Sequence, residues 1–212
     1  MTDYAKIERQ QLADLLLAVG PDAPTVCAGW TTRDLAAHLV VRDRRVDAAA
    51  GAVIARLAAH GEKIRQAKAL QVYEEIVTEV RNPPWWSPVS NRLTDELANT
   101  LEFFIHHEDI RRAQPQWAPR LLPHAEQEAI WKATRMTARL GLRKLRVPVL
   151  VRSPGFDDLE IGTSETQPPR AMLQGEPGEI ALFVSGRQEV ARVEIQGQED
   201  TADVIRRAKL EM

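Results

Sequence analysis

The sequence predicts an α+β protein, with a helical bundle over residues 1–143 followed by a small α/β domain over residues 144–212. Three observations carry that reading. Up to about residue 144, apolar residues recur every three or four positions with few β-branched runs, the pattern of amphipathic helices. Beyond it, short β-branched or alternating runs are separated by glycine and proline, the pattern of strands and turns. The links between the helical stretches are short and proline-bounded, which favours antiparallel neighbours packed as a bundle.

The first helix is expected over about residues 3–18, with Ile7, Leu12, Leu15, Leu16 and Val19 on its packing stripe and Gly20-Pro21 stopping it. The second begins at Thr31-Thr32-Arg33-Asp34. There a threonine cap and a first-turn acid satisfy free amides and the positive helix end, and the stripe runs through Leu35, His38, Leu39 and Val46 to Gly51. A weaker helical stretch covers residues 52–60, and a further helix covers 63–80, ended by Asn82-Pro83-Pro84. Pro84-Trp85-Trp86-Ser87-Pro88 is then a loop. Trp85 and Trp86 are expected to cap the bundle core, because tryptophan is usually largely buried; the competing reading places them at a pocket mouth.

Two more helices are expected at about 94–113 and 123–140, the latter ended by Gly141, with a proline-bounded link between them. In the C-terminal part, strands are expected at 146–151, 159–161, 171–174 and 191–195, and helices at 179–184 and 201–210. A segment of roughly 65 residues is marginal as an independent fold, so it is expected to pack against the bundle.

Composition narrows the function classes. The 28 lysines and arginines nearly balance 30 aspartates and glutamates, so no basic field points to nucleic acid. Nothing approaches roughly eighteen consecutive apolar residues, and the charged N-terminus lacks a signal peptide's apolar core, so a cytoplasmic protein without a membrane partner is expected. The single cysteine, Cys27, excludes an internal disulfide and a cysteine framework for zinc. It has no histidine near it in sequence and is expected to be inert. Any metal must be held by histidine and carboxylate.

The segment EFFIHHEDIRR, residues 102–112, sets Glu102 and His106 one helical turn apart, so both can present donors to one ion. With this many carboxylates the spacing alone is weak, and Asp34 stands four residues before His38 in the same way. His38 adds more, because it lies on the apolar stripe of its helix, where it is either a hydrogen-bonded neutral imidazole or a ligand. His107 is turned about 100° from His106 and is expected to pack or hydrogen-bond. Asp109 is either support for His106 or a partner of Arg111 or Arg112. His60 and His124 read as surface residues; Arg187 reads as solvent-exposed or as reaching an acidic substrate. A His, Glu, His set leaves an open position on zinc for water or a thiolate, and suits nickel, manganese or iron(II) as well.

WTTRDLAAHL, residues 30–39, together with EFFIHHEDIRR, resembles the two motifs of the DinB-like, mycothiol-dependent maleylpyruvate isomerase superfamily, and most of all an actinobacterial branch described as metal-binding proteins. GEPGEIALFVSGR, residues 175–187, resembles the helix of its small sterol-carrier-like C-terminal domain. The resemblance implies a DinB-like four-helix bundle with an extra short helix, and a divalent metal, zinc first, on His38, Glu102 and His106. It also implies mycothiol as cofactor or co-substrate and an electrophilic substrate, in a transferase or an isomerase. A non-catalytic metal- or ligand-binding protein is the alternative. Neither motif names catalytic residues, the electrophile or an oligomeric state.

Overall fold

The computed structural model describes residues 4–45, 55–87 and 96–210. Among them the chain is α+β, with eight helices and one four-stranded sheet, and divides into two compact units, Met1–Pro119 and Arg120–Met212. No helix among the described residues is long and apolar enough to cross a membrane.

The first unit is helical: α1 Tyr4–Val19, α2 Thr32–Arg44, α3 Ala55–Ala69, α4 Tyr73–Arg81 and α5 Glu96–Arg111. Gly20, at φ 81°, ends α1 in the left-handed region open to glycine. α2 starts where Asp34 Oδ2 accepts the Thr31 backbone amide at 3.0 Å and the Thr31 hydroxyl at 2.9 Å. Leu12, Leu16, Leu35, Leu39, Ile76, Val80, Phe103 and Ile110 close one core between α1, α2, α4 and α5. On α1 the inward face also carries Glu8 and Arg9, whereas Ile7 is 37% exposed, a shift from the expected purely apolar stripe. Arg9 is satisfied there by Asp43 and by the Val80 carbonyl at 2.8 Å, and its guanidinium lies over the Phe103 ring.

The expected single helix over 63–80 is two. Arg33 donates to the carbonyls of Ala69 and Gln71 at 3.2 and 3.1 Å, holding the turn between α3 and α4. The upstream half of that region belongs to α3 rather than to a separate weak helix. The expected extension of the second helix to Val46 and Gly51, and the start of the motif helix near residue 94, lie outside the described residues.

The second unit contains α6 His124–Arg143, β1 Val149–Arg152, β2 Leu159–Ile161, β3 Ala171–Gln174, α7 Pro177–Val184, β4 Glu194–Gly197 and α8 Glu199–Arg206. The sheet order is β2-β1-β3-β4, with β1 and β3 parallel and both outer pairs antiparallel. Gly197, at φ 131°, closes β4 where an added Cβ would sit 2.3 Å from the Arg170 carbonyl oxygen. Alternate residues of β1, β2 and β3 face a core completed by Trp131, Ala138 and Leu142 of α6, Ile180 and Phe183 of α7, and Ile205 of α8.

The two compact units divide at residue 119, so α6, which the expected boundary at 143 assigned to the bundle, lies in the second of them. α6 packs its apolar face chiefly on α7 and, beside it, on β2, and runs through Gly141, which was expected to end it. The physical reason is the one that made the C-terminal segment marginal alone: a sheet this small buries its apolar face only with another amphipathic helix.

Candidate metal centre

α2 and α5 bring the predicted donors together. Leu35 and Leu39 seat α2 in the core and leave His38 at its rim, while Phe103 and Ile110 seat α5 and set Glu102 and His106 one turn apart on the facing side. Glu102 Oε1 lies 3.5 Å from His38 Nε2 and 3.3 Å from His106 Nε2. The two imidazole rings meet edge to face, with centroids 5.2 Å apart, and Trp30 packs on the outer side of His38 at 5.3 Å. Cys27, His106 and Asp109 form a second donor group that shares His106.

Around a tetrahedral ion with bonds of about 2.0–2.2 Å, neighbouring donors stand about 3.3–3.6 Å apart. The two distances at Glu102 Oε1 match that spacing. Asp109 Oδ2 lies 2.9 Å from His106 Nδ1, so that once the ring gives up a proton the one it keeps is on Nδ1 and the Nε2 lone pair faces Glu102 and His38. The donor set fits a divalent cation, and it opens on one side: the side chains of His38 and Glu102 are 34% and 23% exposed, those of His106 and Asp109 9% and 0%.

Electrostatics divide the three donors. Burial moves the His38 imidazole below its usual value, its contact with Glu102 opposing only in part. Burial would raise the Glu102 carboxyl, but its bonds to His106 and His38 and the charge of Arg42 outweigh that and hold it well below the usual range. Burial would likewise strip the proton from His106, but bonds to Asp109, Cys27 and Glu102 win, and that imidazole holds its proton well above the usual histidine value.

The neighbours are assigned as follows. Asp109 supports His106, and the arginines expected as its alternative partners pair with Glu108, Arg111 at 2.8 Å and Arg112 at 2.6 Å. His107 turns away and meets Glu8 at 2.7 Å inside the helical core. Asp34, spaced from His38 as Glu102 is from His106, is instead taken up by Thr31 and Arg65. Trp85 and Trp86 do not cap the core: they are 91% and 52% exposed, and the turn at residues 85–86 carries them outward. His60 and His124 are exposed, His124 stacking on Phe156, and Arg187 is half-buried with a bond to the Ser185 carbonyl.

Cys27 is the residue the sequence could not place. Its thiol donates to Asp109 Oδ2 at 3.2 Å, across 82 positions of chain, and the Val26 amide donates to the Asp109 carbonyl at 2.9 Å. No periodicity links residues so far apart; only the loop before α2 folding back on α5 does.

A family model described as the mycothiol maleylpyruvate isomerase N-terminal domain matches residues 5–139 of the chain. No curated protein and no solved structure gives a match.

Proposed function

The chain belongs to the mycothiol maleylpyruvate isomerase N-terminal domain family, and from that premise we propose that His38, Glu102 and His106 hold a divalent ion, zinc first, at which a low-molecular-weight thiol is activated. The family is metal-binding and mycothiol-associated, which makes mycothiol the leading thiol. The observation that carries the reading is the convergence of two imidazole Nε2 atoms on one Glu102 oxygen at tetrahedral spacing, with Asp109 fixing the ring behind.

A bound ion of this kind supplies Lewis acidity and lowers the pKa of a thiol at its open position. The chain's own residues do the rest. Glu102 contributes a carboxylate that stays ionised, and Asp109 keeps the proton of His106 on the far nitrogen. Trp30 braces His38 from outside, leaving the exposed edge between His38 and Glu102 as the side from which a thiol and its electrophile enter. The reaction class is transfer of the thiolate to an electrophile, or isomerisation through its reversible addition.

The closing of one core by α1, α2, α4 and α5 supports a DinB-like four-helix bundle with α3 as the extra helix, and the mixed sheet supports a sterol-carrier-like second domain. Cys27, the chain's single cysteine, forms no disulfide within the chain, which fits a reducing cytoplasm.

The same short distances favour a second reading, a non-catalytic imidazolium–carboxylate cluster with no resident ion, since His106 is held protonated between Asp109 and Glu102. Elemental analysis of purified wild-type and His106→Ala protein separates the two. The metal reading expects near-stoichiometric metal in the wild type and a loss of binding of about 100-fold or more in the variant; equal content in both would overturn it. Mycothiol added to the cobalt-loaded protein is expected to shift its visible bands through a sulfur–cobalt bond, and an unchanged spectrum would remove the thiol from the proposal.

A further inference from the structure

The Glu102 oxygen that both imidazoles approach has a third neighbour, Arg42 of α2, whose Nε lies 3.2 Å from it. The rest of that guanidinium is committed inward: Nη2 donates to Asn99 Oδ1 at 2.8 Å, and Nη1 is buried without a hydrogen bond, 3.6 Å from Asp43 Oδ1. Asp43 is already paired with Arg9, in a closer contact, so it does not consume the charge of Arg42. The one nitrogen without a partner is buried rather than turned to the open side, so the guanidinium acts on the site through its charge beside Glu102.

We propose that Arg42 sets the charge of the site: by neutralising Glu102 it leaves a bound divalent ion under-compensated, so that the open position selects an anionic ligand, of which a thiolate is one. This rests on the metal reading above and adds a residue outside the donor set. Two neutral imidazoles and one carboxylate cancel a single charge of the ion; with Arg42 at hydrogen-bond distance from that carboxylate, even this cancellation is offset. The arrangement trades cation affinity for anion affinity. A purely structural arginine makes no such trade, because its loss weakens both or neither.

The test uses full-length protein loaded with cobalt(II), with cobalt affinity read by chelator competition and anion affinity by the visible spectrum on titration with azide and with 2-mercaptoethanol. Arg42→Gln is expected to bind cobalt more tightly and both anions about tenfold more weakly than wild type. Arg42→Lys, which keeps the charge without the fork, should stay close to wild type. Asn99→Asp gives the guanidinium a second carboxylate and keeps every buried charge paired, so it covers the case in which Arg42→Gln does not fold. It should move both affinities in the same directions as Arg42→Gln, by less. The proposal is overturned if cobalt and anion affinities fall together, if neither moves, or if Arg42→Lys behaves as Arg42→Gln. A wild-type protein that takes up no cobalt overturns the metal reading itself, and this inference with it.

Discussion

His106 carries opposite demands: in the metal-free protein it is held as imidazolium between two carboxylates, yet a ligand must offer a bare Nε2. Metal uptake must therefore displace its proton. Because the folded protein holds that proton well above 6.5, zinc binding is expected to release about one proton at neutral pH, with apparent affinity rising about tenfold per pH unit until the raised value is passed. His38, shifted below its usual value, adds to this only on the acid side. The linkage also fixes a sign for stability. The raised His106 value stabilises the metal-free fold fully below pH 6.5, and that contribution is lost as pH rises through the folded value. Calorimetric titration in buffers of different ionisation enthalpy measures the released proton; no release at pH 7 would mean His106 is already neutral or is not a ligand. At this scale the sequence was informative where donors share a helix. Glu102 and His106 lie one turn apart by helix geometry, His38 stood out as an imidazole on the apolar stripe of its own helix, and the resemblance joined the three. Cys27 could not be placed because its partner stands 82 positions away, and nothing in the stripe of the first helix marked Glu8 and Arg9 as buried, because their partners His107, Asp43 and Val80 come from other helices.

α2 is anchored at its first turn, and the anchor governs how His38 meets α5. Asp34 closes the turn on Thr31 with one oxygen and takes Arg65 with the other, at 2.5 Å, while Arg65 also reaches Glu62 at 2.6 Å and lies over Trp30. A lost cap costs about 0.5–2 kcal/mol, so Asp34→Ala is expected to lower stability by about 1–2 kcal/mol in thermal unfolding at neutral pH. Burial would raise the Asp34 carboxyl, but the Thr31 amide and Arg65 outweigh it and hold it below 3.8. Its contribution is thus present above that value and lost as pH falls through the lowered one, and Asp34→Asn should blunt the acid-side loss of stability. An Asp34→Ala protein as stable as wild type would mean the cap is redundant with the packing of Leu35 and Leu39. The start of α2 was readable from Thr31 and Asp34 because capping is local. The break between α3 and α4 was not: no proline or glycine marks it, and it is held by Arg33, which comes from another helix.

The whole chain assigns its parts by where apolar faces can be buried, and here the largest departure from the sequence pattern appears. Periodicity says that residues 123–140 form an amphipathic helix, but not which surface the apolar face will meet. Trp131, Ala138 and Leu142 pack with Val149, Val151 and Leu173 of the sheet, so the unit that closes its own core begins at residue 120. The donors divide accordingly, with Cys27, His38, Glu102, His106 and Asp109 all within residues 1–119. Three fragments test these boundaries. Residues 120–212 are expected to unfold cooperatively on heating, whereas residues 144–212, deprived of α6, are expected to show no cooperative transition, because Phe183, Val151 and their neighbours lose one wall of their core. Residues 1–119 should retain the metal stoichiometry of the full chain, read by elemental analysis after gel filtration. A cooperative transition in 144–212, or a metal-free 1–119 that is otherwise folded, would place the working boundary back after α6 and make that helix part of what supports the centre.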